Sequence, residues 1–280
     1  MRVRPPAWSG TPPEARALPI NHLALPKVYT GSSDRWHDDY ERGRPGWPVE
    51  VVEIPALPST ATALELGAGT GKLTRLLVSR FEDVVAVEPD EGMRRLLGAL
   101  CPQAGVLAGG AEEIPLADGS VDAVFAAEAF HWFDGPRTLA EIARVLRPHG
   151  ALVLMWNLPA GPTEPSIEAV EQLLLGELGP GKDELGYDPL DLNTRRYASG
   201  AWRLAFAESP FDELQETRLP NPQTIDRDGL VAFLASMGWI ADLPDVDRLP
   251  LLDRVRSLLT APEYRRPWET HVHGTRLAAL

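Results

Sequence analysis

The segment Glu65-Leu66-Gly67-Ala68-Gly69-Thr70-Gly71-Lys72 ends a short apolar run and opens an amphipathic one, and its reading decides the fold. Glycines at alternate positions let a chain turn sharply and let a ligand approach bare backbone. Amides at the start of the following helix face such a ligand. Upstream, 61–66 (ATALEL) reads as a buried strand; downstream, Leu73, Leu76 and Leu77 share one helical face.

The same rhythm repeats outward. Residues 84–89 form a second strand, stopped by Pro89, and Met93, Leu96, Leu97 and Leu100 recur at helical spacing. Strands follow at 105–108, 121–129 and 151–157, with a helix opening near Pro136 and burying Leu139, Ile142 and Leu146. Strands apolar on both faces belong in a parallel sheet covered by helices. Beyond residue 158 the pattern changes to helices near 165–177, 227–238 and 246–260, with a Gly/Pro/Asp-rich insertion at 178–200. Two alternating stretches, 211–219 and 270–278, supply the last strands, antiparallel at the sheet edge. The predicted fold is α/β: a doubly wound, mostly parallel seven-stranded sheet with an N-terminal lid and a helical insertion. The expected division is a flexible tail over 1–27, a lid over 28–58, a core over 59–158, and a substrate-side region with the closing strands over 159–280.

Composition narrows the partners. The chain has 280 residues, 44% apolar and 24% charged, as in ordinary globular domains. Lys plus Arg number 27 and Asp plus Glu 40, a net charge of −13. Binding a nucleic-acid backbone or an anionic membrane wants clustered cations, so both are disfavoured. One cysteine, Cys101, permits neither an internal disulfide nor a zinc cluster and suits a reducing cytoplasm. No metal is expected. The opening stretch lacks the apolar core of a secretory signal, and no apolar run reaches the roughly 18 residues of a membrane span.

The glycine segment fails two familiar patterns. A P-loop requires Ser or Thr after Gly-Lys and a glycine at position 66; leucines stand at both. A dinucleotide fingerprint requires a third glycine where Lys72 stands. What remains is GxGxG preceded by Glu65. Glu88 ends the second strand, 17 residues past Gly71. A carboxylate there accepts both hydroxyls of a ribose and repels a 2′-phosphate.

Together these features resemble motif I and the following acidic residue of the class I S-adenosylmethionine (SAM) methyltransferases. Gly110-Ala111-Glu112-Glu113-Ile114-Pro115, with Asp118 to Asp122, resembles a further segment of that family. Ser236, Trp239 and 266–270 are similar to the C-terminal part of a bacterial type-11, trans-aconitate methyltransferase-like subgroup. The resemblance implies SAM as cofactor, held by Glu65, Gly67, Ala68, Gly69, Gly71, Glu88 and Pro89, with Ala111 and Glu112 reading the adenine edge. Met93 either packs on the adenine face or is plain helix core, and Asp122 fixes a loop. Leu146 to Gly150 is a structural loop.

The acceptor belongs beyond the carboxyl ends of the strands. There stand Glu128, Phe130, His131 and Trp132; Glu128 replaces a glutamine that relatives often carry and adds an ionisable group to the cofactor side. His131 is either a general base or a hydrogen-bonded wall residue behind Trp132; Glu128 and His37 are the other candidate bases. The N-terminal aromatic group contains Tyr29, Trp36, His37 and Tyr40, then Arg44-Pro45-Gly46-Trp47-Pro48, which resembles an RPGYP segment of the subgroup. It is expected to cover SAM, with Tyr40 and Arg44 nearest the cofactor. Tyr29, Trp36, Phe130, His131, Trp132, Trp202 and Trp239 are the expected acceptor-side residues, though core packing also accounts for Trp202 and Trp239. The activity implied is methyl transfer to a small molecule, with oxygen, a carboxylate among the candidates, favoured over nitrogen or carbon. A SAM-bound cyclase or binding protein, and a nucleotide-dependent oxidoreductase, remain as alternatives.

Overall fold

The structure is a computed structural model, which describes residues 34–161, 164–178 and 197–278. Tyr29, the 1–27 tail and most of the 178–200 insertion lie outside the described residues. A seven-stranded sheet forms the centre, in the order β3-β2-β1-β4-β5-β9-β6. Its members are β1 (Thr62–Leu66), β2 (Asp83–Val87), β3 (Gly105–Leu107), β4 (Val121–Ala127), β5 (Leu146–Pro159), β6 (Gln215–Pro220) and β9 (Trp268–Arg276). β1 to β5 pair in parallel, while β9 runs antiparallel to both β5 and β6. The two closing strands thus form one edge of the sheet, antiparallel as expected, with the last strand in sequence lying inward of β6. Burial explains the placement: β9 is covered along most of its length, whereas nearly all of β6 is exposed.

Alternation along the central strands feeds two apolar layers. Leu64, Val124, Leu154 and Trp156 face α4 (Gly135–Val145) with its Leu139 and Ile142. Ala63, Phe125, Val153 and Met155 face α2 (Thr74–Arg80), joined by Leu77 and Phe81. That double coverage is what makes these strands read as continuous apolar runs.

Residues 147–150 are part of β5 and not a free loop. Leu146 pairs with Val121 and Ala151 with Ala123, and the residues between bulge outward at Pro148 and at His149, whose φ is +62°. A small sheet that sequence periodicity missed joins β7 (Gln223–Asp226) to β8 (Glu263–Arg266). It flanks α5 (Pro165–Leu178), α6 (Arg227–Ala235), α7 (Gly238–Ala241) and α8 (Asp245–Leu258). These helices share their own core of Leu174, Leu230, Leu234, Ile240 and Val255. The predicted helix over 227–238 is split, because Met237 turns to extended geometry (φ −70°, ψ 132°) between α6 and α7.

The first described helix, α1 (Asp34–Gly43), crosses α6 at close range. A Cβ built on Gly43 would lie 2.1 Å from the Phe233 amide nitrogen. Backbone cannot yield as a side chain can, so only glycine permits this crossing. Gly43→Ala should cost about 1–3 kcal/mol of unfolding free energy. Urea titration of both proteins checks this, and equal midpoints would refute it.

Candidate active site

The glycine turn leaves β1 and is stitched to β2, since the Gly67 and Ala68 amides both donate to the Val87 carbonyl, at 2.9 and 3.3 Å. Gly67, Gly69 and Gly71 have φ values of +66°, +58° and +88°, the left-handed region that side chains resist. Their surroundings differ. A Cβ on Gly67 would meet Ala129 at 2.9 Å, and one on Gly71 would meet Leu97 at 2.6 Å. At Gly69 the nearest atom is Tyr40 Cε1, at 3.9 Å. Two glycines thus serve internal packing, and Gly69 alone exposes bare backbone to an open space roofed by Tyr40.

Glu88 closes on this turn. Its carboxylate accepts from the Gly69 amide at 2.8 Å and from the Asp90 amide at 2.9 Å. Burial raises its pKa, and the two amide donors pull the other way. Asp90 caps α3 (Glu91–Leu100) by accepting from the Met93 amide. Met93 is buried in that helix, while Pro89 is exposed beside it. Glu65 points into the protein and accepts from the Thr74 hydroxyl at 2.5 Å. Burial pushes its carboxyl up to about 8, the neighbouring Glu88 adds to the rise, and Thr74 opposes it.

Ala111 is buried, and Glu112 accepts from the Asp134 amide at the start of α4. Asp122 accepts from the Thr62 amide and from Arg147, a role within the scaffold. At the end of β4, Glu128 has φ +51° and accepts from the Asn157 amide at 2.7 Å. A non-glycine residue in that region stores strain of order 1–3 kcal/mol, which the surrounding structure must hold.

His131 follows in a short 3-10 turn, Phe130–Trp132. The Trp156 indole donates to its Nδ1 at 2.9 Å, so that nitrogen carries the lone pair and the neutral ring carries its proton on Nε2. Phe130 is buried against Trp202 and Phe206, while Trp132 is 40% exposed. Trp202 belongs to the α4-side layer and Trp239 to the helical cluster, so the structure does not bring those two expected acceptor residues together.

Behind Trp156 lies a polar chain, buried at His271 and His273, that sequence periodicity does not show. Arg203 can only donate, so His273 accepts at Nδ1 (3.3 Å) and donates from Nε2 to Tyr197 (3.0 Å). Tyr197 then donates to His271 Nδ1 (2.9 Å), and His271 Nε2 donates to Glu269 (2.8 Å). Burial holds His273 down at about 4, in keeping with its neutral form. Tyr197 and Trp202 pack on Trp156 with ring centroids 5.0 and 4.8 Å away.

Helix α1 carries the N-terminal candidates to three places. His37 pairs with Asp90 at 3.0 Å, on the Glu88 side of the crevice and not beside His131. The Tyr40 ring covers Gly69; burial raises its phenol pKa, Arg44 opposes the rise, and Glu128, Glu88 and Glu41 add to it. Trp36 and Arg44 donate to Ser236 and also lie by the Tyr40 ring, with the Trp36 ring centroid 5.8 Å and the Arg44 guanidinium 5.4 Å from it. Glu41, which sequence patterns did not flag, contacts Thr70 and Arg75. Asn157 and Asn221 both donate to the Gly46 carbonyl, at 3.1 and 2.9 Å, fastening the segment after α1 to the sheet. Among the described residues, no group of His, Cys, Asp and Glu could hold a metal ion, and no helix is long and apolar enough to cross a membrane.

The methyltransferase-domain family matches residues 64–154, which span the glycine turn, Glu88, Glu112 and His131. An uncharacterized methyltransferase of Mycobacterium tuberculosis is 40% identical over 220 residues, 79% of this chain and 82% of the relative. The chain belongs to the methyltransferase family. A solved structure of a candidate type II methyltransferase from Anaeromyxobacter dehalogenans superposes with a TM-score of 0.61 at 25% identity, covering 85% of this chain and 99% of that one. A malonyl-[acyl-carrier protein] O-methyltransferase of Methylococcus capsulatus is 45% identical over 101 residues, 34% of this chain and 37% of that protein. The expected class, a SAM-dependent methyltransferase on a Rossmann-like sheet, is the one found.

Glu65 makes this methyltransferase's stability depend on pH. Its carboxyl titrates near 4.5 when exposed and at about 8 in the folded chain. Between those values the folded state keeps a proton that the unfolded state has lost. This contribution to stability therefore falls as pH rises, by up to about 1.4 kcal/mol per unit. Glu65→Gln keeps an acceptor for Thr74 and cannot titrate. Its stability relative to wild type should rise between about pH 5 and pH 8, as read by urea unfolding; parallel pH curves would refute the assignment.

Proposed function

We propose that this methyltransferase binds SAM in the crevice between the glycine turn, Glu88 and helix α1, and methylates an oxygen of a small-molecule acceptor beyond the end of β4. The observation that carries the reading is Gly69. Its left-handed backbone is bare toward open space, and a buried carboxylate sits within hydrogen-bond reach of its amide. That pairing suits a nucleoside whose sugar needs an acidic acceptor and whose amino-acid tail needs close approach to main chain. Glu65 stays behind the turn and orders its base through Thr74. The Tyr40 face roofs the crevice and suits a sulfonium through its quadrupole. Residues 34–58 act as the lid in this reading, with 59–158 as the cofactor core and the remainder as the acceptor side.

When bound, SAM supplies a methyl group already activated on sulfur. The chain's own residues then orient the acceptor and exclude water. The three candidate bases are all engaged in this structure. His37 is paired with Asp90, His131 has its lone pair on the Trp156 indole, and one Glu128 oxygen holds the Asn157 amide. A carboxylate is ionised at neutral pH and reacts without a base, which suits a site where the Trp156 indole already holds the His131 lone pair. The similarity to an O-methyltransferase over a third of the chain supports oxygen.

At about 100 times its dissociation constant, SAM should stabilise the protein against heat by about 2.7 kcal/mol. Glu88→Ala and Gly69→Val should each abolish most of that gain, the first by removing the sugar's acceptor and the second by forcing a β-branched residue into a left-handed turn. Differential scanning calorimetry with and without SAM provides the reading. Undiminished stabilisation in both variants would overturn the proposed site. Mass spectrometry of carboxylate-bearing metabolites incubated with enzyme and SAM then identifies the acceptor by the added methyl.

A further inference from the structure

Helix α1 stands between two sets of partners, and one of its faces grips both turns of the crevice. His37 and Glu41 are four residues apart and so share that face. The His37 ring fills the space over Gly92, where a built Cβ would lie 2.0 Å from its Cε1. Its Nε2 meets Asp90 at 3.0 Å, and the Asp90 amide in turn donates to Glu88. One turn later, the Glu41 carboxylate accepts from the Thr70 hydroxyl at 2.5 Å and from Arg75 at 2.8 Å. Lys72 donates to the Glu41 main-chain carbonyl at 2.6 Å. Thr70 is buried between two left-handed glycines.

The other side of α1 faces the acceptor-side helices. Trp36 and Arg44 donate to Ser236, Arg248 pairs with Asp39 at 3.0 Å, and Gly43 lies against Phe233. The helix is thus anchored from behind, so the contacts of Glu41 and His37 are made from a fixed support.

We propose that Glu41 and His37 are positioning residues, which hold the glycine turn and the Glu88 turn in the geometry required for SAM. The proposal rests on the reading of the SAM crevice given above, and adds that the crevice is incomplete without two side chains from outside the nucleotide-binding core. Glu41 offers two charge-assisted contacts in partly buried surroundings, where such bonds are stronger than neutral ones. Their loss frees Thr70, and with it the orientation of the Gly69 amide.

The test is calorimetric SAM affinity combined with amide hydrogen exchange in the full chain, with Glu88→Ala as the control for the crevice itself. Glu41→Ala should weaken SAM binding about tenfold. It should also speed exchange over 67–75 while leaving β5 protected, a local signature that general destabilisation would not give. Glu41→Gln keeps an acceptor for Thr70 and should recover part of the affinity. His37→Ala should speed exchange over 88–93 in the same local way. If Glu88→Ala weakens SAM while Glu41→Ala binds normally, or if exchange rises equally in β5, the positioning role is wrong and the crevice stands. If SAM affinity is indifferent to Glu88→Ala, both fall. Should Glu41→Ala not fold, Thr70→Val removes the same hydrogen bond from the other side, and wild-type affinity in that variant would overturn the proposal.

Discussion

The hydrogen bond from the Gly69 amide to the Glu88 carboxylate is the constraint around which the molecule is arranged. It joins the turn after β1 to the turn after β2, so the ends of two adjacent parallel strands become one surface. A carboxylate at that depth costs free energy unless donors face it, and two amides do. For both amides to converge, the glycine turn must adopt left-handed angles and α3 must start at Asp90. Asp90 meets the second need as an N-cap, and the alternate glycines meet the first. The two apolar layers then hold β1, β2 and β4 in register so that the strand ends stay level.

What could be read in the sequence is what is encoded locally. The central strands announced themselves because both faces are buried, and the glycine turn and Glu88 because their spacing along the chain is short and specific. The order of the two closing strands was not legible. Whether a strand caps an edge or slips inside a sheet depends on partners more than a hundred residues away, as with Trp156 and His271. The four-residue strands β7 and β8 are too short to show a period. Glu41 sits in Asp-Asp-Tyr-Glu-Arg, which reads as a solvated helix face, and its partners Thr70 and Arg75 are supplied only by the fold. Arg44 was expected beside Tyr40 from the segment's resemblance; its guanidinium lies over the Tyr40 and Phe233 rings and donates to Ser236, partners of which the last two are supplied only by the fold.

The aromatic residues divide in the same way. Trp202 and Trp239, expected on one acceptor side, fall in different layers of the fold. Trp156, Tyr197 and Trp202 form a buried stack that orients an indole N–H toward His131. Phe233 and Trp268 pack in the helical cluster, where Arg266 lies over both rings. The His131 ring is therefore set by the interior, with Trp132 the more exposed surface next to it.

The helices from α5 to α8 enclose an apolar core separate from the two layers of the sheet. Side chains that share no neighbours change stability almost independently. Changes deep in that core can therefore accumulate without altering the sheet, so long as Phe233, Ser236 and Arg248 keep the support they give to α1. One chain thus carries two apolar interiors that can vary at different rates.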